Sequence, residues 1–252
     1  MRDFSGKTVL VTGGSRGIGR ACVLAFARNG ADVAINYHKN EEEAQKVLGE
    51  ARALGVKSQV FRADTSKSNE VNSMIKDVVE YFGKINILVN NAGVLSRTPF
   101  LQLSESEWDW VLDINLKGYF LVGQAVAKQM VEQKSGGVIV NISSNNQERA
   151  AGNLVHYNVS KAGIAMLMKT MAFELAPYGI RVNNVAPGLT ETDINRKDIA
   201  NKEWREARMA RIPLKVIATP DDITGAVLFL ASDDAKLSTG QTVWVDAGAT
   251  IS

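Results

Sequence analysis

The 252-residue sequence has little of what secreted and membrane proteins depend on. It contains a single cysteine, Cys22, so no disulfide can form within the chain. This thiol lies in an apolar stretch and is expected to be a small buried side chain rather than a reactive group. The longest apolar run, Ala21 to Ala27, is far shorter than the roughly twenty residues of a membrane-spanning helix. The first residues lack the apolar segment of a signal peptide. We therefore expect a cytoplasmic protein with no membrane association.

An excess of one charge and clusters of metal ligands are also missing. There are 29 Lys and Arg against 27 Asp and Glu, and a net charge of +2 is small for a protein that binds nucleic acid by neutralising phosphates. The histidines are His38 and His156, and no cluster of acidic and cysteine residues accompanies them at metal-ligand spacing. We therefore expect no nucleic-acid partner and no metal site.

Short β-branched runs alternate along the chain with longer segments of helical spacing. Continuous apolar runs are typical of parallel strands that helices cover on both faces. The sequence therefore predicts an α/β fold, a single doubly wound domain over residues 1–252 with a seven-stranded parallel sheet and helices on both faces. The predicted strands are Thr8–Val11, Val33–Ile35, Gln59–Phe61, Ile85–Val89, Val138–Ile142, Ile180–Val185 and Thr242–Val245.

One segment departs from this alternation. Residues 190–213 follow the sixth strand and are rich in charged side chains. Such sheets place ligand-covering inserts beyond the carboxyl ends of their strands, so we expect a substrate lid rather than an ordinary solvated helix pair. The predicted helices are 18–29, 41–54, 69–82, 104–133 (with a capping box at Ser104 and Glu107), 155–176 and 220–231.

A glycine-rich loop connects the first strand to the first helix. Its glycines let the backbone turn tightly and approach a pyrophosphate, whose charge the helix N-terminus would stabilise. The spacing is not G-x-G-x-x-G, but the position between strand and helix strengthens the signal. The candidate cofactor-binding residues here are Gly13, Ser15, Arg16, Gly17, Ile18 and Gly19.

The end of the second strand indicates which dinucleotide binds. An acidic residue there would hold the ribose hydroxyls and repel a 2′-phosphate. Here the chain has Tyr37, His38 and Lys39, with no carboxylate before Glu41, and Arg16 can reach the same region. These residues favour NADP(H), with NAD(H) left open; the alternative is that Arg16 and Lys39 are merely solvated.

Two further strand ends extend the predicted cofactor site. Asp64 and Thr65 follow the third strand, where Asp64 could accept a hydrogen bond from an adenine amino group. Small residues after the fourth strand would let the chain pass close to the cofactor. These residues are Asn91, Ala92 and Gly93.

Tyr157 and Lys161 are spaced i, i+4 in the helix that begins near Val155, so they share one face. A nearby ammonium favours the phenolate, and we expect it to lower the tyrosine pKa and bring a proton donor closer to working pH. Ser144 ends the fifth strand, where its hydroxyl can hydrogen-bond a substrate carbonyl, with Ser143 as the near alternative.

Together these motifs closely resemble the short-chain dehydrogenase/reductase family, from Lys7 to Ala247. The resemblance implies a Rossmann fold, reversible hydride transfer between a nicotinamide and a carbonyl or alcohol carbon, and a homotetramer. The motifs that carry it are Thr12 to Gly19, Asn90 to Gly93, Asp113 to Gly118, Ser144, Tyr157 with Lys161, and Pro187-Gly188.

The resemblance also implies roles for individual residues. Tyr157 would be the general acid/base, Lys161 its helper and Ser144 the group that orients the carbonyl, while Asn115 would hold a proton-relay water. Asn91 would lie along the cofactor. The residues implied beside the nicotinamide carboxamide are Pro187, Gly188, Thr190 and Thr192.

Two branches of the family are similar to different halves of the chain. The first half resembles 3-oxoacyl-carrier-protein reductases, and the second half resembles bacterial glucose 1-dehydrogenases. The stretch after Ser144, Asn145 to Arg149, is polar, which suits a hydroxylated sugar or polyol better than an acyl chain unless it points to solvent. A remote alternative is a regulator that senses NADP(H) without turnover.

Overall fold

The computed structural model describes residues 2–251, so Met1 and Ser252 of the predicted domain lie outside the described residues. These residues form one seven-stranded sheet in which every neighbouring pair is parallel. The strands are β1 (Thr8–Val11), β2 (Asp32–Tyr37), β3 (Ser58–Arg62), β4 (Ile87–Asn90), β5 (Gly137–Ile142), β6 (Ile180–Pro187) and β7 (Thr242–Val245). Their order is β3-β2-β1-β4-β5-β6-β7. The prediction of seven parallel strands is confirmed, with each boundary within two residues.

Helices cover both faces of this sheet, as predicted. Within residues 2–251 the α-helices are α1 (Gly17–Arg28), α2 (Glu41–Ala53), α3 (Ser68–Phe82), α4 (Glu105–Leu112), α5 (Gly118–Gln133), α6 (Val155–Leu175), α7 (Arg196–Ala200), α8 (Lys202–Met209) and α9 (Pro220–Ala231). None of them is both long and apolar enough to cross a membrane.

Two hydrophobic cores form because successive strand residues point to opposite faces. Val9 and Val11 of β1 pack against α1, α2 and α9, whereas Leu10 packs on the other face with α3, α5 and α6. Full burial of such a side chain contributes about 1.5–3 kcal/mol to stability. Cys22 belongs to the first core, and burial raises its thiol pKa to about 12, in keeping with an unreactive packing residue.

The strand order creates a crevice above the sheet. From β1 the chain winds outward through β2 to β3, then crosses back to place β4 on the other side of β1. The connections after β1 and after β4 therefore diverge, and doubly wound sheets bind ligands in the crevice left at the carboxyl ends of such strands. This topology fixes where a site can lie before any side chain is considered.

The helix predicted over 104–133 is interrupted. A π-helical turn, Asp113–Lys117, joins α4 to α5. Ser104 caps α4 by accepting a hydrogen bond from the Glu107 backbone N–H at 3.2 Å. The capping box is wrong in its second half, because the Glu107 carboxylate accepts instead from the Thr98 hydroxyl at 2.6 Å.

Candidate active site

A cleft of about 1300 Å³ opens at the carboxyl ends of the strands. All of the proposed site residues line it except Gly19 and Asn115, which lie behind its wall. Residues far apart in sequence therefore meet at one edge of the sheet, as expected of a doubly wound fold. Those that line the cleft are Gly13, Ser15, Arg16, Gly17, Ile18, Tyr37, His38, Lys39, Asp64, Thr65, Asn91, Ala92, Gly93, Ser144, Tyr157, Lys161, Pro187, Gly188, Thr190 and Thr192.

The loop between β1 and α1 has the shape that a pyrophosphate requires. Gly13 and Gly17 have φ angles of +61° and +53°, which glycine adopts without strain. A Cβ on Gly19 would lie 2.2 Å from the Gly13 carbonyl oxygen, so only glycine lets the helix start this close to the loop. No side chain among residues 2–251 caps the N-terminus of α1, and its N–H groups can therefore receive an anion.

Thr12 joins this loop to the segment after β4. Its hydroxyl accepts hydrogen bonds from the backbone N–H groups of Asn91 at 2.8 Å and Ala92 at 3.0 Å. The Asn91 side chain in turn donates to the Thr12 carbonyl at 2.9 Å. Sequence reasoning placed Thr12 in the glycine motif but gave it no role; its position as the last residue before Gly13 was the available signal.

The outer end of the cleft has the acidic side chain of Asp64 and several basic side chains. Asp64 accepts hydrogen bonds from the Ser66 backbone and hydroxyl at 3.0 and 2.8 Å. Burial raises the Asp64 pKa, but these bonds outweigh it and hold the pKa below its usual range. Arg16, His38 and Lys39 are exposed at the same end. Within residues 2–251 no carboxylate lies within 4 Å of Arg16 or Lys39, whose charges stay available to a ligand.

Lys161 is buried and turned toward the sheet. Its ammonium donates to the Ile142 carbonyl at 3.0 Å and lies 5.6 Å from the centre of the Tyr157 ring. Burial lowers the Lys161 pKa to about 7. Tyr157 and Lys161 do share one face near the start of α6, as the i, i+4 spacing predicts.

The expected lowering of the Tyr157 pKa is wrong for this structure. Burial raises the Tyr157 pKa, and a hydrogen bond with Ser144 and the positive charge of Arg97 only partly oppose that rise. The physical reason is that Lys161, itself desolvated, points to a backbone carbonyl rather than to the phenol oxygen. Tyr157 is therefore held as a phenol, which is a proton donor.

The choice between Ser143 and Ser144 follows from their partners. The Ser143 hydroxyl donates to the Val185 carbonyl of β6 at 3.2 Å. Ser144 lies just beyond the end of β5 and directs its hydroxyl toward Tyr157, while also accepting from the Asn146 backbone at 3.1 Å. The geometry favours Ser144 as the residue that can meet a substrate oxygen beside the phenol.

Asn115 lies in the π-helical turn and is fully buried. Its side chain accepts from the Val94 backbone N–H at 2.8 Å and donates to the Val94 carbonyl at 2.9 Å. It also donates to the Ser160 hydroxyl at 3.3 Å. The side chain thus ties the loop after β4 to α6, and its role with a relay water stays a prediction.

Some residues of the polar stretch after Ser144 line the cleft and others lie outside it. Asn145, Asn146 and Arg149 line the cleft, whereas Gln147 is buried and Glu148 is exposed. The solvent-facing alternative is therefore wrong for most of this wall. Polar groups face the space next to Ser144 and Tyr157.

Sequence reasoning missed the residues at the far end of this space. Arg97 follows β4, and its guanidinium contacts Asp198 of α7 at 2.9 Å. Trp204 and Arg208 of α8 also line the cleft. The charge of segment 190–213 was visible in the sequence, but which of its side chains turn inward depends on how α7 and α8 fold back. Within residues 2–251 no three His, Cys, Asp or Glu residues are grouped to hold a metal.

Known proteins are similar to this chain over nearly its whole length. The family model described as enoyl-(acyl carrier protein) reductase matches residues 13–250. L-rhamnose 1-dehydrogenase (NAD(P)(+)) of Sphingomonas sp. strain SKA58 is 40% identical, over 98% of each chain. The 3-oxoacyl-[acyl-carrier-protein] reductase of Staphylococcus epidermidis strain RP62A is 43% identical, over 96% of this chain and 98% of the relative.

A solved structure has the same fold. A gluconate 5-dehydrogenase from Burkholderia cenocepacia J2315, in complex with NADP and tartrate, is similar with a TM-score of 0.94 and 34% identity, over 99% of this chain and 97% of that one. Family model, relatives and structure agree with the resemblance seen in the motifs. The chain belongs to the short-chain dehydrogenase/reductase family.

Proposed function

We propose that this enzyme is an NADP(H)-preferring dehydrogenase that transfers a hydride between the nicotinamide and a carbonyl or alcohol carbon of a sugar or polyol. The observation that carries the proposal is the meeting of Ser144, Tyr157 and buried Lys161 at the inner end of a cleft whose adjacent wall is polar. Asn145 and Asn146 can pair with substrate hydroxyls, which an apolar wall would leave unpaired.

The residues present fit a nicotinamide dinucleotide. The glycine loop leaves room for a pyrophosphate at the uncapped start of α1, and Arg16 and Lys39 can pair with a 2′-phosphate. Pro187, Gly188, Thr190 and Thr192 border the inner end, where the nicotinamide would bind. When bound, the nicotinamide accepts or donates the hydride.

The side chains of this protein transfer the proton and orient the substrate. Ser144 hydrogen-bonds the substrate oxygen and directs it to the Tyr157 hydroxyl. In reduction Tyr157 gives its proton to the carbonyl oxygen as the hydride reaches the carbon. In oxidation Tyr157 must first release its proton to solvent, and the resulting phenolate then accepts the alcohol proton as the hydride leaves. The raised pKa keeps the phenol protonated, ready for the first of these steps.

The names of similar proteins support a hydroxylated substrate and an NADP-type cofactor. One relative is named for L-rhamnose and for NAD(P)(+), and the similar solved structure is a gluconate 5-dehydrogenase with NADP and tartrate.

We propose that segment 190–213 is a substrate lid, because its residues Trp204 and Arg208 line the cleft, as a lid would require. We further propose that the protein is a cytoplasmic homotetramer.

A second candidate is a 3-oxoacyl-[acyl-carrier-protein] reductase. A relative of that name is 43% identical over nearly the full length. Leu95, Leu154 and Ile194 also line the cleft and could contact an acyl chain. Because the catalytic residues serve both reactions, only the substrate distinguishes the candidates.

The test follows reduced nicotinamide by its absorbance. NADP⁺ and NAD⁺ are supplied with sugars and polyols, and NADPH with a 3-oxoacyl thioester. Sugar or polyol oxidation with NADP⁺ supports the proposal, and reduction of the thioester alone supports the second candidate. Tyr157→Phe should keep cofactor binding but lower kcat by about 10²- to 10⁴-fold. Tyr178→Phe, an exposed residue outside the cleft, is the matched control and should be unchanged. NADP(H) binding without turnover of any substrate would indicate a sensing protein.

A further inference from the structure

Several arginines line the substrate end of the cleft, and three of them come from separate parts of the chain. Arg97 follows β4, Arg149 ends the polar stretch after β5, and Arg208 belongs to α8. They act on one another: burial, and then the positive charges around it, including those of Arg97 and Arg149, lower the Arg208 pKa. Arg97 also acts on Tyr157, where its charge partly opposes the rise in pKa that burial causes. The positive region therefore begins at the catalytic phenol and extends toward α8.

Among residues 2–251, ion pairs with acids leave Arg149 and Arg208 without a carboxylate in direct contact. Asp198 pairs with Arg97, at 2.9 Å. Arg149 donates to the backbone carbonyl of Ala249, a neutral acceptor. Within residues 2–251 no carboxylate lies within 4 Å of the Arg149 or Arg208 guanidinium. Asp193, an acid that lines the cleft, forms an ion pair with Arg196 at 2.5 Å.

Trp204 holds two of the guanidiniums in place. Arg97 lies 5.7 Å and Arg208 5.2 Å from the centre of its ring. Contact with the ring restrains the Arg208 guanidinium without using its N–H groups, which remain able to bind a planar anion through paired hydrogen bonds. Like charges held together in a half-buried cleft are costly unless a ligand neutralises them.

We propose that Arg149 and Arg208, with Arg97 beside them, bind a carboxylate of the substrate, so that the substrate is a polyhydroxylated acid rather than a neutral sugar. The inference rests on the proposed function, because Ser144 and Tyr157 act on a hydroxyl or carbonyl carbon elsewhere in the same molecule. A carboxylate accepts two parallel N–H donors from a guanidinium, which gives the substrate a fixed direction in the cleft. The polar wall of Asn145 and Asn146 then faces the hydroxyls between the two ends.

The kinetic test compares aldonates with neutral polyols and aldoses of the same chain length and configuration, using NADP⁺. The acids should have the higher kcat/KM. Arg208→Gln and Arg149→Gln should raise KM for the acids by about 10- to 100-fold, with a smaller change in kcat, and should leave neutral substrates unchanged. Arg205→Gln is the control, since Arg205 is an exposed charged residue of α8 that does not line the cleft. Equal use of acids and neutral compounds, or equal effects of Arg208→Gln on both, would overturn the proposal.

A binding test does not depend on turnover. Tartrate and erythritol, a charged and a neutral four-carbon polyol, are titrated calorimetrically into the protein saturated with NADP⁺. Tartrate should bind, erythritol should bind more weakly, and Arg208→Gln should remove the difference. Inorganic phosphate is titrated in parallel, and tighter binding of phosphate than of tartrate would overturn the carboxylate assignment. If no alcohol or carbonyl compound is turned over, the proposed function fails, while this titration still decides whether the arginines bind a carboxylate.

Discussion

Lys161 is a charged side chain inside the fold. Its surroundings explain both the stability that is lost by burying the charge and the catalytic position that the charge occupies. Its ammonium donates to the Ile142 carbonyl, which also accepts from the Tyr119 hydroxyl at 2.8 Å. The two ring systems of Tyr119 and Tyr157 lie 5.3 and 5.6 Å away, which stabilises a cation but does not replace water. The charge is thus retained at a catalytic position at the expense of stability.

Lys161→Met should make the protein more stable at neutral pH while removing activity. The Ile142 carbonyl would keep its bond from Tyr119, and the methionine fills similar space. Because the folded-state pKa of about 7 lies below the ordinary value of 10.5, the unfolded chain binds more protons between these values, and wild-type stability rises with pH across that interval. The stabilisation by Lys161→Met should therefore be largest below pH 7, on the order of a few kcal/mol, and vanish near pH 10.5. Urea unfolding at several pH values measures it, and a pH-independent difference would contradict it.

Arg16 should determine cofactor preference, although it is exposed. Its guanidinium has no carboxylate within 4 Å among residues 2–251, so Arg16→Ala removes only a contact with the ligand. The Kd for NADP⁺ should rise by about tenfold, and that for NAD⁺ should change much less. Fluorescence titration of both cofactors gives the comparison. Arg28→Ala, at the opposite end of α1, serves as control, and equal weakening of both cofactors would argue against a 2′-phosphate contact.

At the scale of elements, the junction of β1 with α1 leaves no room for a side chain at Gly19, whereas a second helical glycine, Gly49 of α2, has open space around it. A Cβ at Gly19 would lie 2.2 Å from the Gly13 carbonyl oxygen, whereas one at Gly49 of α2 would meet nothing within 4 Å. Gly19→Ala should displace the glycine loop, lower the melting temperature and abolish saturable NADP⁺ binding. Gly49→Ala should raise stability by up to about 1 kcal/mol, because alanine is the better helix former. Similar behaviour of the two variants in thermal unfolding and cofactor titration would mean that the loop tolerates the added methyl group.

Elements set by local pattern were predictable from sequence, and those set by distant contacts were not. The strands are continuous apolar runs, and α9 begins at Pro220, so their positions follow from the sequence alone. The π-helical turn depends instead on Asn115 bonding to Val94, a contact across 21 residues. Segment 190–213 was expected to cover the cleft, but the inward turn of Arg208 comes from packing of α8. The same limit applies to Tyr157, whose pKa direction depends on where Lys161 points.

At the scale of the whole molecule, α6 carries an apolar stripe that the described chain leaves uncovered. Val159, Met166 and Phe173 are 41%, 63% and 85% exposed and are spaced seven residues apart, so they lie on one face of the helix. Phe120 of the neighbouring α5 is 43% exposed. Exposed apolar surface of this kind is typical of an interface between subunits.

The proposed homotetramer should therefore depend on this stripe. Phe173→Glu places a charge at its most exposed residue, and burying that charge in an isologous interface would bring two like charges together across the symmetry axis. We expect light scattering coupled to gel filtration to show a tetramer for the wild type and smaller species for Phe173→Glu. Leu54→Glu, which adds the same charge to an exposed leucine at the end of α2, should remain tetrameric. Because the site lies at the carboxyl ends of the strands within one chain, the dissociated variant should retain cofactor binding. A tetramer that survives Phe173→Glu would place the subunit contact elsewhere, and a monomeric wild type would contradict the proposed homotetramer.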